Sequence, residues 1–149
     1  MSAGMPADMP ADTALVHAVS DVVLRYATGI DAKDWPLFRS CFTEDCVVDY
    51  GAIGRWTNPD DIATFMQASH ANSPHTMHRI TNIVVTPTGE TTATARSYVD
   101  GLILLDAVTA AQPAGVYDDE LVLTDAGWKI ARRTFTLVLM RIATGVPQS

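Results

Sequence analysis

Two side chains of this sequence, Asp31 and His78, have the chemistry of an acid–base pair and stand at unusual positions. Asp31 follows a predicted helix just beyond Gly29, and His78 lies inside an otherwise apolar segment with strand character. An aspartate that accepts a hydrogen bond from one ring nitrogen of a histidine leaves the other nitrogen free to act as a general base. We therefore predict that the chain builds a pocket around Asp31 and His78.

Each of these residues also has an ordinary structural interpretation. Aspartate is favoured in turns because it bonds to nearby backbone groups, and a buried histidine is more often a hydrogen-bonded core residue than a catalyst. The pair His75 and His78 invites a metal site, but residues three apart on a strand point to opposite faces and no third ligand is evident. The sequence therefore predicts no metal site. It also has no nucleophile motif and no glycine-rich phosphate loop, which leaves acid–base chemistry or binding without chemistry.

Three further polar residues are candidates for the same pocket. Tyr26 falls on the apolar stripe of the first helix, while Asp100 and Arg133 stand at the polar ends of apolar rows of alternate strand residues. Each also has a simpler structural interpretation. Tyr26 is then an ordinary core residue, Asp100 lies in a bend beside a glycine, and Arg133 forms a solvent-exposed pair with the arginine before it. The residue types alone leave these alternatives open.

Composition and charge exclude several classes of protein. The chain has 149 residues, of which 48% are apolar and 18% charged, as expected of one globular domain. A net charge of −7 without a basic cluster argues against nucleic acid and anionic membranes as partners. No apolar run is long enough to span a bilayer, and the first residues lack the features of a signal peptide, so we expect a cytoplasmic location. The two cysteines, Cys41 and Cys46, are expected to be reduced thiols.

The hydrophobic pattern changes from helical to strand periodicity near Pro74, which predicts an α+β domain. Residues 1–12 contain a doubled Met-Pro-Ala-Asp and are predicted to form a flexible arm, and residues 13–149 a single domain. Three helices should cover the concave face of a strongly curved, mostly antiparallel sheet. The predicted helices span residues 13–28, 34–41 and 59–70. The predicted strands span residues 46–50, 77–86, 91–105, 116–124 and 128–142, with a wide loop at 109–115.

The last predicted strand carries more apolar side chains than is expected for a strand with one face exposed to solvent. Leu137, Val138, Leu139 and Met140 follow one another, whereas such a strand should alternate between apolar and polar residues. We therefore expect a homo-oligomer.

The order of elements, together with several short motifs, resembles the SnoaL-like branch of the NTF2-like superfamily. The motifs are Tyr26-x4-Asp31, Asp34-Trp35, His78 with Asn82, Tyr117-x-Asp119 and the run Gly127–Arg133. Within that superfamily the chain is similar to the scytalone dehydratase and hexachlorocyclohexane dehydrochlorinase group, and its layout looks like that of bile-acid 7α-dehydratases. The resemblance implies an NTF2-like cone and a homotrimer rather than a homodimer.

The resemblance also implies roles for individual residues. The implied catalytic set is Asp31, His78, Tyr26, Asp100 and Arg133. In it Asp31 and His78 touch as an Asp–His dyad inside an enclosed apolar pocket, and Tyr26 donates a hydrogen bond to the developing enolate. Asp100 and Arg133 either hold or protonate the leaving group or neutralise each other. The expected substrate-binding residues are Tyr50, Phe65, Tyr98, Tyr117 and Phe135. The implied reaction is a cofactor-independent, dehydratase-type elimination on a hydrophobic carbonyl compound of polycyclic or steroid-like type. The alternatives are a ketosteroid-type isomerase, a polyketide cyclase, and a non-catalytic binder of apolar ligands or small subunit of an oxygenase.

Overall fold

The computed structural model describes residues 11–147, so the predicted arm lies outside the described residues apart from Ala11 and Asp12. The predicted α+β class is confirmed: three helices pack on one six-stranded sheet, and two of its strands come before the third helix in the chain. The helices are α1 (Thr13–Asp31), α2 (Trp35–Ser40) and α3 (Pro59–His70). The strands are β1 (Phe42–Asp49), β2 (Arg55–Trp56), β3 (Thr76–Pro87), β4 (Thr92–Leu104), β5 (Thr109–Thr124) and β6 (Gly127–Thr144).

The three helices begin where short polar side chains can cap them. Asp12 Oδ1 accepts a hydrogen bond from the Leu15 amide at 2.7 Å, and Asp34 Oδ1 accepts one from the Leu37 amide at 3.0 Å. Asn58 caps α3 in the same way. Each cap satisfies an amide that would otherwise lack a partner in the first helical turn.

The predicted end of the first helix at Gly29 is wrong, because α1 continues to Asp31. The left-handed residue that closes the helix is Lys33, with φ of 54°. Gly29 serves close packing instead: a Cβ there would lie 2.8 Å from the backbone nitrogen of Phe38 in α2. As a result, Asp31 is fixed in the last turn of a helix and does not lie in a turn between helices.

The sheet has the strand order β2-β1-β6-β5-β4-β3. All neighbouring strands are antiparallel except β1 and β6, which are parallel. Register shifts interrupt β3 and the β5–β6 pair, and such bulges bend and twist the strands that carry them. Because α1 packs against β3 and β6, the end of this helix comes to lie beside the start of β3.

Three details of the predicted strands differ from the structure. The predicted loop at residues 109–115 belongs to β5, which starts at Thr109 directly after a tight turn at residues 105–108. The first strand begins at Phe42, earlier than predicted, because its first residue pairs with Ile130 of β6. The short strand β2, which is absent from the predicted strands, follows a 3-10 helix at Gly51–Ile53.

The core lies between the helices and the inner face of the sheet. Its fully buried large side chains include Val19, Tyr26, Ile30, Phe38, Phe42, Ile62, Leu121 and Ile130. None of the described helices has the length and apolarity needed to cross a membrane.

Candidate active site

Asp31 and His78 are in direct contact, as predicted. His78 Nδ1 lies 2.7 Å from Asp31 Oδ1, and the backbone N–H of His78 donates to Asp31 Oδ2 at 2.8 Å. The Thr76 hydroxyl adds a third hydrogen bond, to Oδ1, at 2.8 Å. Because a carboxylate oxygen can only accept, the proton of the ring belongs on Nδ1, which leaves the lone pair on Nε2.

The surroundings of Asp31 keep its carboxyl group ionised. Burial alone would raise its pKa, but the hydrogen bonds from the ring and backbone of His78, the attraction of His78 and the Thr76 hydroxyl together hold the pKa below the ordinary value of 3.8. A carboxylate held in this way can orient the imidazole and stabilise its protonated form.

His78 lies at the wall of a cavity of about 220 Å³ between the helices and the sheet. The lining is predominantly apolar, and the predicted lining residues Tyr26, Tyr50, Phe65 and Phe135 all contribute to it. The described residues that line it are Tyr26, Ile30, Tyr50, Ile53, Phe65, Met66, Ser69, His70, His78, Val99, Ile103, Pro113, Tyr117, Phe135, Leu137 and Met140. An apolar cavity with a few polar groups on its wall is the usual form of a small-molecule site.

Arg133 is buried beneath the tyrosines that line this cavity. Its guanidinium donates from Nε and Nη2 to the two carboxylate oxygens of Asp119, at 2.7 and 2.8 Å. The guanidinium carbon also lies 4.2 Å from the centre of the Tyr26 ring and 3.9 Å from that of Tyr117. The interpretation of Arg133 as a solvated residue, or as a partner of Asp100, is therefore wrong.

The hydroxyl groups of Tyr26 and Tyr50 are hydrogen-bonded to each other. Burial raises the pKa of both, and for Tyr50 the nearby Arg133 charge opposes that rise. These hydroxyls therefore stay protonated and can act as hydrogen-bond donors near the positive charge of Arg133.

Asp100 and Tyr98 do not belong to the site. Both lie on the outer face of β4, where Tyr98 is 48% exposed and Asp100 pairs with Arg79 at 3.1 Å. The inner row of β4 consists of the alternate residues Ser97, Val99 and Gly101. Because successive side chains of a strand point to opposite faces, the predicted inner row of this strand is in fact its outer row.

His70 is a cavity residue that the sequence analysis missed. It lies in the last turn of α3, and its ring centre is 5.8 Å from that of His78. The signal was present, since Ile62, Met66 and His70 recur every four residues on the apolar face of the helix. Within residues 11–147, no three His, Cys, Asp or Glu side chains come together as ligands for a metal ion.

Residues 11–134 match the model of a family described as the SnoaL-like domain. The chain belongs to the SnoaL-like domain family. The match covers most of the chain, and this family lies within the NTF2-like superfamily that the motifs suggested. Among curated proteins, no sequence matches the chain closely enough to count as a relative.

Solved structures similar to this SnoaL-like protein share its fold over most of their length. One from Novosphingobium aromaticivorans, provisionally named an aromatic ring hydroxylase, is 29% identical with a TM-score of 0.80, over 90% of this chain and 95% of the other. Another from the same organism, provisionally named a scytalone dehydratase, is 23% identical with a TM-score of 0.77, over 89% and 93% of the two chains. The hexachlorocyclohexane dehydrochlorinase LinA-type3 of Novosphingobium barchaimii is 17% identical with a TM-score of 0.78, over 89% and 92%.

Proposed function

We propose that this SnoaL-like protein is a cofactor-independent lyase in which the Asp31–His78 pair is the general base. The observation that carries the proposal is the 2.7 Å contact between Asp31 Oδ1 and His78 Nδ1 at the wall of an apolar cavity. In such a site an ionised aspartate holds the histidine in one tautomer, so that Nε2 is ready to accept a proton. The names of two structural neighbours, a dehydratase and a dehydrochlorinase, denote eliminations and support this choice.

The proposed reaction removes a proton from the carbon next to a carbonyl group. His78 Nε2 takes this proton, and Asp31 stabilises the imidazolium that forms. The electron pair forms the carbon–carbon double bond as the β-hydroxyl leaves, and the proton on His78 passes to the departing oxygen to give water. The bonds that break are one C–H and one C–O, so the step needs no oxidant or reductant.

The buried tyrosine pair and Arg133 can stabilise an enolate, the tyrosines as hydrogen-bond donors and Arg133 by its positive charge. Tyr26 and Tyr50 share a hydrogen bond, and the Arg133 cation lies against the ring of Tyr26. A hydroxyl donor in a largely apolar site that already contains positive charge stabilises a developing oxyanion. In this scheme Tyr26, Tyr50 or both bind the carbonyl oxygen, and Arg133 acts through them.

The size of the cavity restricts the substrate. A volume of about 220 Å³ is below the roughly 300–1,000 Å³ of pockets for drug-sized ligands. We therefore propose a hydrophobic carbonyl compound of one or two rings in place of a four-ring steroid. Phe65, Tyr117 and Phe135, which all line the cavity, are the proposed contacts to its rings.

An isomerase is the second candidate, with the same base and no leaving group. None of the described residues that line the cavity is a carboxylic acid, and Asp100, the acid suggested for the leaving group, lies outside it. Returning the proton to a different carbon needs only His78. Deuterium uptake from D₂O into a two-ring enone, without loss of water from its hydroxyl counterpart, would select the isomerase.

Replacing Asp31 by asparagine is expected to lower the elimination rate by roughly 10²-fold or more, because the amide can stabilise the wrong tautomer of His78. The double variant Asp31→Asn with His78→Ala should be little worse than His78→Ala alone, since the two residues act as one unit. Steady-state rates with a β-hydroxy ketone check this. Rate losses that multiply in the double variant would show that the two residues act independently.

We also propose that the protein is a homo-oligomer, with a trimer preferred because of the family resemblance. Several large apolar side chains of β6 are 43% to 70% exposed, namely Leu137, Val138, Leu139, Met140 and Ile142. Light scattering should give a multiple of the 16.1 kDa chain mass at micromolar concentration. Val138→Asp should lower that mass, while Leu24→Asp on the exposed side of α1 should not. A monomer mass for the unchanged protein would contradict the proposal.

A further inference from the structure

Among the described residues of the cavity wall, His70 is the one buried polar residue that has no role in the proposed mechanism. Its side chain lies in the last turn of α3 and is only 6% exposed. It lines the same cavity as His78 and approaches that ring to 5.8 Å between centres. A ligand within reach of the base is therefore also close to His70.

The hydrogen bonds of His70 fix its tautomer. Nδ1 lies 2.8 Å from the carbonyl oxygen of Met66, which can only accept, so Nδ1 carries the proton. Burial lowers the pKa of His70, and it outweighs the opposing hydrogen bond to Met66. The ring is therefore neutral at neutral pH, and Nε2 has a free lone pair.

Nε2 of His70 is buried and has no hydrogen-bond partner among residues 11–147. Because Nδ1 points back to the backbone of α3, the opposite edge of the ring, with Nε2, points away from the helix. A buried acceptor without a partner is costly, and a hydrogen-bond donor supplied by a ligand would remove that cost.

We infer that the substrate carries a hydroxyl group on its ring and that this group donates a hydrogen bond to His70 Nε2. A neutral nitrogen with a lone pair selects a donor such as a phenol or alcohol, and it rejects a carboxylate or a second carbonyl, which can only accept. The inference rests on the proposed function in that it takes this cavity as the substrate site, and it narrows the substrate to a hydroxylated one- or two-ring carbonyl compound.

The test compares the binding of 2-naphthol and naphthalene, which differ by the hydroxyl alone. The unchanged protein should bind 2-naphthol about tenfold more tightly. His70→Leu should abolish this preference, whereas His70→Gln, whose amide oxygen can accept a hydrogen bond at similar reach, should keep part of it. Gln67→Leu, on the exposed side of the same helix, is the matched control and should keep the preference in full.

The NMR signal of His70 Nε2 provides a second measurement, which needs no variant and so does not depend on a variant being folded. In ¹⁵N NMR of the unchanged protein, 2-naphthol should shift the His70 Nε2 signal and naphthalene should not. Equal binding of the two compounds, binding of neither, or a preference that survives in His70→Leu would overturn the inference. These experiments measure binding and not turnover. A failed lyase assay therefore does not change their outcome, and a missing binding preference does not exclude lyase activity.

Discussion

His78→Ala is expected to lower the elimination rate by a factor of roughly 10²–10⁴, which is the usual loss when a general base is removed. Nε2 of this residue is the proposed proton acceptor, and no other described residue on the cavity wall combines a ring nitrogen with a hydrogen-bonded carboxylate. Binding of an apolar ring compound should change far less than the rate, because most of the lining is apolar and stays in place.

The His78→Ala protein should remain folded, which makes the rate loss interpretable. The backbone N–H of residue 78 still donates to Asp31 Oδ2, and Thr76 still donates to Oδ1. His75→Ala is the matched control, because His75 is exposed and lies three residues away on the same segment. It should retain full activity. If the two variants had equal rates, His78 would have no role as the base.

Arg133→Met is expected to have the largest effect on stability, a loss of about 3–5 kcal/mol in the free energy of unfolding. The Arg133 and Asp119 side chains are both 0% exposed, so the substitution leaves an ionised carboxylate buried without its partner. It also removes the cation packed between the rings of Tyr26 and Tyr117. Urea denaturation followed by circular dichroism measures this loss.

Two companion variants test the cause of that loss. Arg132→Met breaks the neighbouring pair with Glu120, whose side chains are 53% and 65% exposed, and should cost less than about 1 kcal/mol. Adding Asp119→Leu to Arg133→Met should restore much of the stability, since the unpaired charge is then gone. Equal losses for Arg132→Met and Arg133→Met would mean that burial of the pair does not determine its contribution.

Features with local causes were predicted well from the sequence. The predicted helix starts at residues 13, 34 and 59 agree with the observed starts to within one residue. The caps Asp12, Asp34 and Asn58 that define these starts depend on bonds that reach only three residues along the chain, so residue type and spacing are enough to find them. The Asp31–His78 contact joins residues far apart in the sequence. Here the residue types suggested the pair, and the family resemblance fixed the topology that brings them together.

Tyr98 and Asp100 of β4 were wrongly placed in the site because side chains alternate between the two faces of a strand. Alternation divides a strand into two rows but does not say which row faces the helices. The inner row contains Ser97 and Gly101, a hydroxyl and a residue without a side chain, so it looks less apolar than the outer row with Tyr98 and Leu102. Only the packing of the helices decides between the rows, and this information is not local.

The partner of Arg133 was missed because of a bulge. Counting back from the turn at Gly127 would place Asp119 opposite Arg132. A register shift between Glu120 and Leu121 moves the pairing by one residue, so that Asp119 faces Arg133 and both point inward. A single inserted residue thus decides that Asp119 pairs with Arg133 and not with Arg132, and the residue types give no sign of this pairing.

The most direct test of the central claim is a proton NMR time course in D₂O with a two-ring β-hydroxy ketone. If Asp31 and His78 form the base of a lyase, the unchanged protein will convert this compound to the dehydrated product with loss of one α-proton, and His78→Ala will do so roughly 10²–10⁴ times more slowly. Conversion that proceeds equally fast in His78→Ala, or no conversion and no α-deuterium uptake with any one- or two-ring β-hydroxy ketone, would contradict the account.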